Sequence, residues 1–378
     1  MSGTGLSVYV HLPFCARKCH YCDFNSRPAS LELRSAYLSA LRAEIALQAD
    51  VLGRQPVRTI YFGGGTPTLY RASDLSALLG AITGRCAIEP RAEVSIEANP
   101  ESADEAKLRA LREAGFNRLS LGAQSFDDGE LELLGRGHTS GDTVRAASAA
   151  RRAGVENLSL DLIYALPGQA VAGWRRTLAQ ALALEPEHIS AYGLELAEGT
   201  RLFARWQAGE IEPVAEAEHL AMREVTRELC EEAGLRRYEI SNYARPGFEC
   251  RHNITYWRNE PYLGLGAGAW SYLEGVRRAN LQRPAEYVAA LEGGEDPVAY
   301  TERLAPDDAL AEAVMMGLRM AEGVEVAALE AAYGSERVSE LMGRAEPLAE
   351  MGLVEVGDRL RLTEAGEPLH GEVVVRLA

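Results

Sequence analysis

The sequence predicts an α/β protein: a partial (β/α)6 TIM-like barrel of six parallel strands, followed by a helical, winged-helix-like C-terminal domain. Three observations predict it. Short apolar runs alternate with amphipathic helical stretches through the first two-thirds of the 378 residues, the pattern of βα units and a parallel sheet. Unusual residues recur at or just past the ends of those runs, where the loops of a parallel barrel converge. From Ala305 onward the runs give way to helices and a hairpin. The expected divisions are 1–240 for the barrel, 241–304 for a barrel-closing segment, and 305–378 for the C-terminal domain.

Taken in order, Leu6 to Leu12 reads as the first strand and Leu33 to Leu52 as a helix with apolar residues at helical spacing. Thr59 to Phe62 is the second strand, followed by Gly63-Gly64-Gly65-Thr66-Pro67 and a helix capped at Ser73 or Asp74. Glu93 to Ala98, Arg118 to Leu121, Asn157 to Tyr164 and His188 to Glu195 complete the six. The cysteines, the glycine run, Glu97, Gln124, Asp161 and Glu195 therefore fall at or beyond successive strand ends, which implies one shared site. The acidic helix from Glu216 to Glu232 reads as a solvated face packed on the barrel through its apolar side. In the C-terminal domain, helices are expected at Asp307 to Glu322, Val326 to Tyr333 and Glu336 to Met351. A hairpin of Leu353 to Val356 and Leu360 to Thr363 follows, turning at Gly357-Asp358.

Composition bounds the function. A hydrophobic fraction of 47% and a charged fraction of 25% are those of a globular chain. No apolar run approaches the roughly 18 to 20 residues of a membrane span. Met1 to Gly5 carries no signal-peptide pattern, and a reducing cytoplasm is the expected compartment. The net charge of −16 disfavours a nucleic-acid partner. Winged-helix modules often bind DNA, but Pro306 to the end holds fifteen acidic and six basic residues, net −9, which turns that domain toward a protein-contact or lid role.

Cys15, Cys19 and Cys22 lie within eight residues, just after the first strand. Thiolates that close together suit an iron-sulfur cluster, zinc or Cu(I). A four-iron cluster held by three cysteines keeps one iron open to a ligand, whereas structural zinc takes a closed shell of four, which here would draw on His11 or His20. The glycine run lets backbone N–H groups approach a polar small molecule, and it fits neither a P-loop nor a dinucleotide fingerprint. Cys86 and Cys230 have no partner at metal spacing and read as core residues. His188, His219 and His370 stand alone, and His138 falls near the strand ends as a pocket residue.

Cys15-x3-Cys19-x2-Cys22, Gly63-Gly64-Gly65-Thr66-Pro67, Glu97-Ala98-Asn99-Pro100 and Gly122-Ala123-Gln124-Ser125-Phe126, each after its own strand, together resemble the radical S-adenosylmethionine (SAM) superfamily. Within it they resemble the branch of oxygen-independent coproporphyrinogen III oxidase and the HemW-like haem chaperones. The resemblance implies a [4Fe-4S] cluster on the three cysteines, with SAM chelating the open iron. It implies that Tyr9, Gly64 and Glu97 contact that SAM, that Trp270 lies near its adenosine, and that Gly65, Thr66, Gln124, Arg136 and Asp161 match the oxidase's second SAM site.

Two departures separate the branches. The oxidases carry a further cysteine two residues after the third, where this chain has Phe24, and they carry an N-terminal extension, whereas fourteen residues precede Cys15 here. Cys250 to Trp257 resembles the His-Asn-x-x-Tyr-Trp motif of the haem chaperones, which implies haem binding at His252, Asn253, Tyr256 and Trp257, with Cys250 as an alternative thiolate ligand. The expected function is thus a haem chaperone that delivers haem to respiratory haem proteins, with a homodimer compatible with the sequence. The alternatives are an oxidase-like enzyme decarboxylating porphyrinogen propionates and an RNA-modifying enzyme, the last opposed by the acidic charge.

Overall fold

The computed structural model describes residues 5–377; the signal-peptide reading of residues 1–4 falls outside them. Its first strand, β1 (Leu6–Leu12), sets the pattern for the barrel. Leu6, Val8, Val10 and Leu12 are fully buried in the layer between sheet and helices, while Ser7, Tyr9 and His11 project to the opposite face. Side chains alternate across a strand, so one face packs on helices and the other forms the barrel interior. The same alternation holds in β2 (Val57–Gly64), β3 (Ile88–Ala98), β4 (Arg118–Gln124), β5 (Leu158–Tyr164) and β6 (His188–Gly193). Their outer residues are Ile60, Phe62, Ile96, Leu119, Leu121, Leu160, Leu162 and Ile189. Their inner residues are Thr59, Tyr61, Glu93, Glu97, Arg118, Ser120, Asp161 and Ser190. The apolar belt thus lies outside the strands and the interior is polar.

These six strands pair in parallel in chain order and do not close. The sheet continues beyond β6 through the antiparallel strands β7 (Arg236–Arg237) and β8 (Asn242–Ala244). On the other side β9 (Tyr262–Leu265) joins β1 in parallel, and β10 (Trp270–Leu273), β11 (Val276–Asn280) and β12 (Val298–Glu302) follow antiparallel. The sequence reading of Leu263 to Trp270 as a glycine-rich closing element is therefore a strand and a tight turn. Gly264 permits it, since a Cβ there would stand 2.0 Å from the Trp270 carbonyl oxygen.

Helical boundaries differ from the expected ones in places. The first helix runs Leu31–Leu47, with the Ser30 hydroxyl accepting from the Leu33 N–H, and a short turn Ala49–Gly53 follows. The helix expected to be capped at Ser73 or Asp74 spans Ala72–Thr83 without a side-chain cap, and Asp74 sits in its first turn, where its charge meets the helix dipole. The helix Glu216–Glu232 buries Met222, Val225 and Cys230 against the barrel.

A second hydrophobic cluster, Leu310 to Leu377, belongs to the C-terminal helices Pro306–Gly317, Val326–Tyr333 and Ser335–Glu350, and to the sheet of β13 (Val324–Glu325), β14 (Val354–Val356) and β15 (Arg359–Leu362). A last helix, His370–Leu377, follows. This unit is tied to the barrel by ion pairs of Arg223 and Arg237 with Glu367, and of Arg319 with Glu239, whose carboxylate is fully buried. Among the described residues, no helix is long and apolar enough to cross a membrane.

Candidate metal and cofactor site

The loop after β1 crosses the carboxyl ends of the strands and carries all three cysteines. Its two stems are pinned: the Cys15 N–H donates to the Arg27 carbonyl at 3.1 Å, and the Arg27 N–H to the Pro13 carbonyl at 2.8 Å. Asn25 anchors it further, its side-chain amide donating to the carbonyls of Ala267 and Gln282. Each sulfur has its own donor. The Thr66 hydroxyl lies 3.5 Å from Cys15 Sγ, the Arg136 guanidinium 3.6 Å from Cys19 Sγ, and Lys18 Nζ 3.8 Å from Cys22 Sγ. Two cations and a hydroxyl thus face the three sulfurs, contacts that would offset the charge of thiolates bound to a cluster.

The closed zinc shell does not assemble around them. His11 donates from Nε2 to the Asn25 carbonyl and accepts from the Tyr9 hydroxyl at Nδ1, each at 3.0 Å. His20 donates from Nδ1 to the Leu133 carbonyl, and its Nε2 accepts from Arg201. Both candidate fourth ligands have both ring nitrogens engaged elsewhere. Among the described residues, no three His, Cys, Asp or Glu side chains converge on one ion position. Three sulfurs bound to three different irons need not converge as ligands of a single ion do.

Beneath the loop opens a cavity of about 760 Å³ lined by Cys15, Cys19, Cys22, Gly64, Gly65, Thr66, Glu97, Gln124, Arg136 and Asp161. The glycine run forms one wall. Gly64 has φ 116°, and its N–H donates to Glu97 Oε2 at 3.0 Å, while a Cβ at Gly65 would meet the Phe14 backbone at 2.7 Å. The Tyr61 hydroxyl donates to the other oxygen of Glu97 at 2.9 Å. Burial, reinforced by Asp161, pushes the Glu97 carboxyl up to about 7 against these hydrogen bonds. Asn99 donates to Thr66 Oγ1 and accepts from Arg136, which also donates to the Gly122 carbonyl. Gln124 takes φ 65° at the end of β4. Deeper, Asp161 accepts from the hydroxyls of Ser159 on its own strand and of Ser120 and Ser190 on the two neighbouring strands, and burial raises its pKa.

Three groups of sequence-predicted residues lie elsewhere. Tyr9 stands behind the cavity wall, its hydroxyl on His11 and its ring 6.2 Å from that of Tyr61. Trp270 is 46% exposed on β10 and packs edge-on against Tyr300. Of the His-Asn-x-x-Tyr-Trp residues on the helix Arg251–Trp257, only Asn253 lines the cavity. His252 plugs the barrel's interior at 1% exposure, hydrogen-bonded to Thr59 Oγ1 at 2.7 Å and to the Tyr256 hydroxyl at 2.9 Å, with its ring stacked 5.1 Å from Tyr61. In this fold His252 presents no free nitrogen to an iron. Cys250 is buried beside Glu93, and Trp257 lies under the Arg319 guanidinium at 4.3 Å.

Sequence reasoning gave no role to Arg118, Ser120, Ser190, Tyr61 or Arg319, all of which line the cavity. For the four on strands the signal was present in the sequence, where polar residues alternate with apolar ones in runs expected to be buried; Arg319, just past the helix Pro306–Gly317, carried none.

Residues 9–181 match the Radical SAM superfamily, and residues 304–369 match the HemN C-terminal domain. The chain is similar to the heme chaperone HemW of Bacillus subtilis, 35% identical over 97% of each chain. It is similar to the heme chaperone HemW of Mycobacterium tuberculosis, 40% identical over 99% of this chain and 95% of that one. Among solved structures it resembles coproporphyrinogen III oxidase (HemN) from Escherichia coli, described as a radical SAM enzyme, with a TM-score of 0.85, 25% identity, and coverage of 99% of this chain and 90% of that one.

Proposed function

The chain belongs to the radical SAM superfamily, in its HemW-like haem chaperone branch, and from that premise we propose that it binds a [4Fe-4S] cluster, SAM and haem in the cytoplasm and hands the haem to respiratory haem proteins. The observation that carries the cluster assignment is the set of three sulfurs with separate donors while His11 and His20 are committed elsewhere. Cys15, Cys19 and Cys22 would hold the cluster, whose open iron supplies a Lewis-acidic position for the amino and carboxylate groups of SAM. Glu97, poised near neutrality by burial, would accept a hydrogen bond from the N–H of that amino group, and the bare backbone at Gly64 and Gly65 lets a ligand approach the wall. Arg136 orients Asn99 and fixes Cys19.

The oxidase-like alternative has the close structural likeness in its favour. Against it stands Phe24, 65% exposed at the cavity where those enzymes carry a further cysteine. Anaerobic titration of the cluster-reconstituted protein with haem, followed by mixing with an apo-cytochrome acceptor, separates the two. Saturable one-to-one binding and transfer to the acceptor support the chaperone reading. Absence of binding, with carbon dioxide released from coproporphyrinogen III, would replace it by the oxidase.

A further inference from the structure

The six parallel strands leave the barrel open, and part of the wall of the cavity beneath the cysteine loop comes from outside the sheet. Arg319, Glu367, Leu369 and His370 of the C-terminal unit line it, together with Leu220 and Arg223 of the helix Glu216–Glu232. A wall that the barrel does not itself supply can move without unfolding the barrel.

Three features of the joint bear on how that wall is held. The two units have separate apolar cores: the barrel's cluster runs from Leu6 to Leu291 and the C-terminal cluster from Leu310 to Leu377, with no side chain in common. Ion pairs link them, of Glu367 with Arg223 and Arg237, Arg319 with Glu239, Arg258 with Glu322, and Arg277 with Glu312. The joint is also imperfectly satisfied, since Trp257 Nε1 and Arg319 Nε are buried there with no hydrogen-bond partner among the described residues. A polar interface within one chain favours relative motion of its two sides, whereas a shared apolar core would lock them. The chain crosses between the units once, at residues 303–305, between β12 and the helix Pro306–Gly317. Arg303 and Ala305 are exposed, which leaves a short surface connector able to turn.

Glu367 is the centre of the joint. It sits on the turn Glu367–Leu369 that leads into the last helix, with its carboxylate 11% exposed between guanidiniums that are 19% and 17% exposed. Gly366 fixes that turn, since a Cβ there would stand 1.8 Å from the Leu353 carbonyl oxygen. Burial lowers the Arg237 pKa, and the neighbouring Arg223 lowers it further. One carboxylate thus offsets two cations, and their repulsion is released when it withdraws.

We infer that the C-terminal unit is a hinged side door to the cavity, turning about residues 303–305 and latched by Glu367 between Arg223 and Arg237, and that ligands pass in and out when it opens. This rests on the cavity being the ligand site proposed above and adds the way into it.

The test is amide hydrogen exchange, read by mass spectrometry, on the cluster-reconstituted full chain as parent, Glu367→Gln and Glu367→Asp. We expect Glu367→Gln to speed exchange about tenfold at residues 366–370 and at the Ala321 amide, which donates to the Tyr238 carbonyl at 2.9 Å. The helix Ser335–Glu350 should keep parental rates, and Glu367→Asp, which keeps the charge, should restore most of the protection. Sodium chloride at about 1 M, where screening reaches about 3 Å, should move the parent toward the Gln variant. Release of SAM in stopped-flow displacement should quicken about fivefold in Glu367→Gln at parental iron content. Parental exchange at the joint in Glu367→Gln would overturn the latch. Faster exchange throughout Ser335–Glu350 would overturn the hinge, because the unit would then be unfolding and not turning. Parental SAM release from an opened joint would overturn the passage of ligands. A parent that binds no SAM would overturn that passage together with the reading it rests on, while the exchange rates would still decide the motion.

Discussion

Replacing His252 by Ala separates two accounts of the Cys250 to Trp257 motif. If the residue is a haem ligand, the variant loses haem and keeps its stability. The structure gives the opposite expectation. The substitution removes two buried hydrogen bonds, to Thr59 and Tyr256, at about 1 kcal/mol each, and strands the buried Thr59 hydroxyl. It also removes ring contacts with Tyr61 and Tyr256, both at 5.1 Å, worth roughly 0.5–1.5 kcal/mol apiece, and leaves a hole that the barrel's rigid strands fill poorly. The sum is roughly 3–5 kcal/mol, or a fall in melting temperature of about 6–10 °C at roughly 2 °C per kcal/mol for a unit of this size. Thermal unfolding followed by circular dichroism, with haem titration run alongside, reads both quantities. A melting temperature within about 1 °C of the parent's, together with loss of the Soret band, would refute the reasoning and return His252 to the iron.

Further outcomes can be checked directly. Burial lowers the His252 pKa to about 3 from 6.5, so the fold binds the neutral ring; its contribution is complete above about 6.5 and is lost as pH falls toward 3, a slope that His252→Gln should lack in pH-dependent denaturation. Glu97, raised to about 7, becomes a carboxylate as pH rises through neutrality, so SAM affinity measured by calorimetry should increase from about pH 6 to 8, and Glu97→Gln should flatten that rise. Cys19→Ala should lose most of its iron on anaerobic reconstitution, and stoichiometric zinc without iron in the parent would remove the cluster from the account. Arg319→Ala strips the buried Glu239 of its cation and Trp257 of its stacked partner, at a cost of about 3–5 kcal/mol, and should make the C-terminal helices exchange amide hydrogens faster.

Much of this was legible because periodicity and special residues point the same way. β1 to β6 were readable from short apolar runs, and the cysteine loop, the glycine run and Glu97 from their positions after them. β9 was not readable as a strand, since Gly264 and the glycines just after it signal a turn and its place depends on β1, some 255 residues earlier in the chain. The burial of His252 was hidden for a related reason: a histidine beside two aromatics has the same local signature whether it faces a ligand or a core, and Thr59 and Tyr61 decide the matter from a distant strand. The helix cap at Ser73 or Asp74 failed because Asp74 falls one turn too far in, where it meets the dipole without bonding a free N–H.

The tether of Asn25 to the Ala267 and Gln282 carbonyls has a consequence for the order in which the protein is made. Asn25 meets a partner 257 residues further along the chain, so the thiols emerge from the ribosome roughly 13–50 s before the segment that fixes their loop, at about 5–20 residues per second. During that interval Cys15, Cys19 and Cys22 are three soft ligands on an unanchored strand end, open to zinc or to oxidation. Metal identity is then settled by timing as well as by geometry: a cell that protects nascent thiols, or inserts iron only once translation is complete, decides which ion the finished loop closes around.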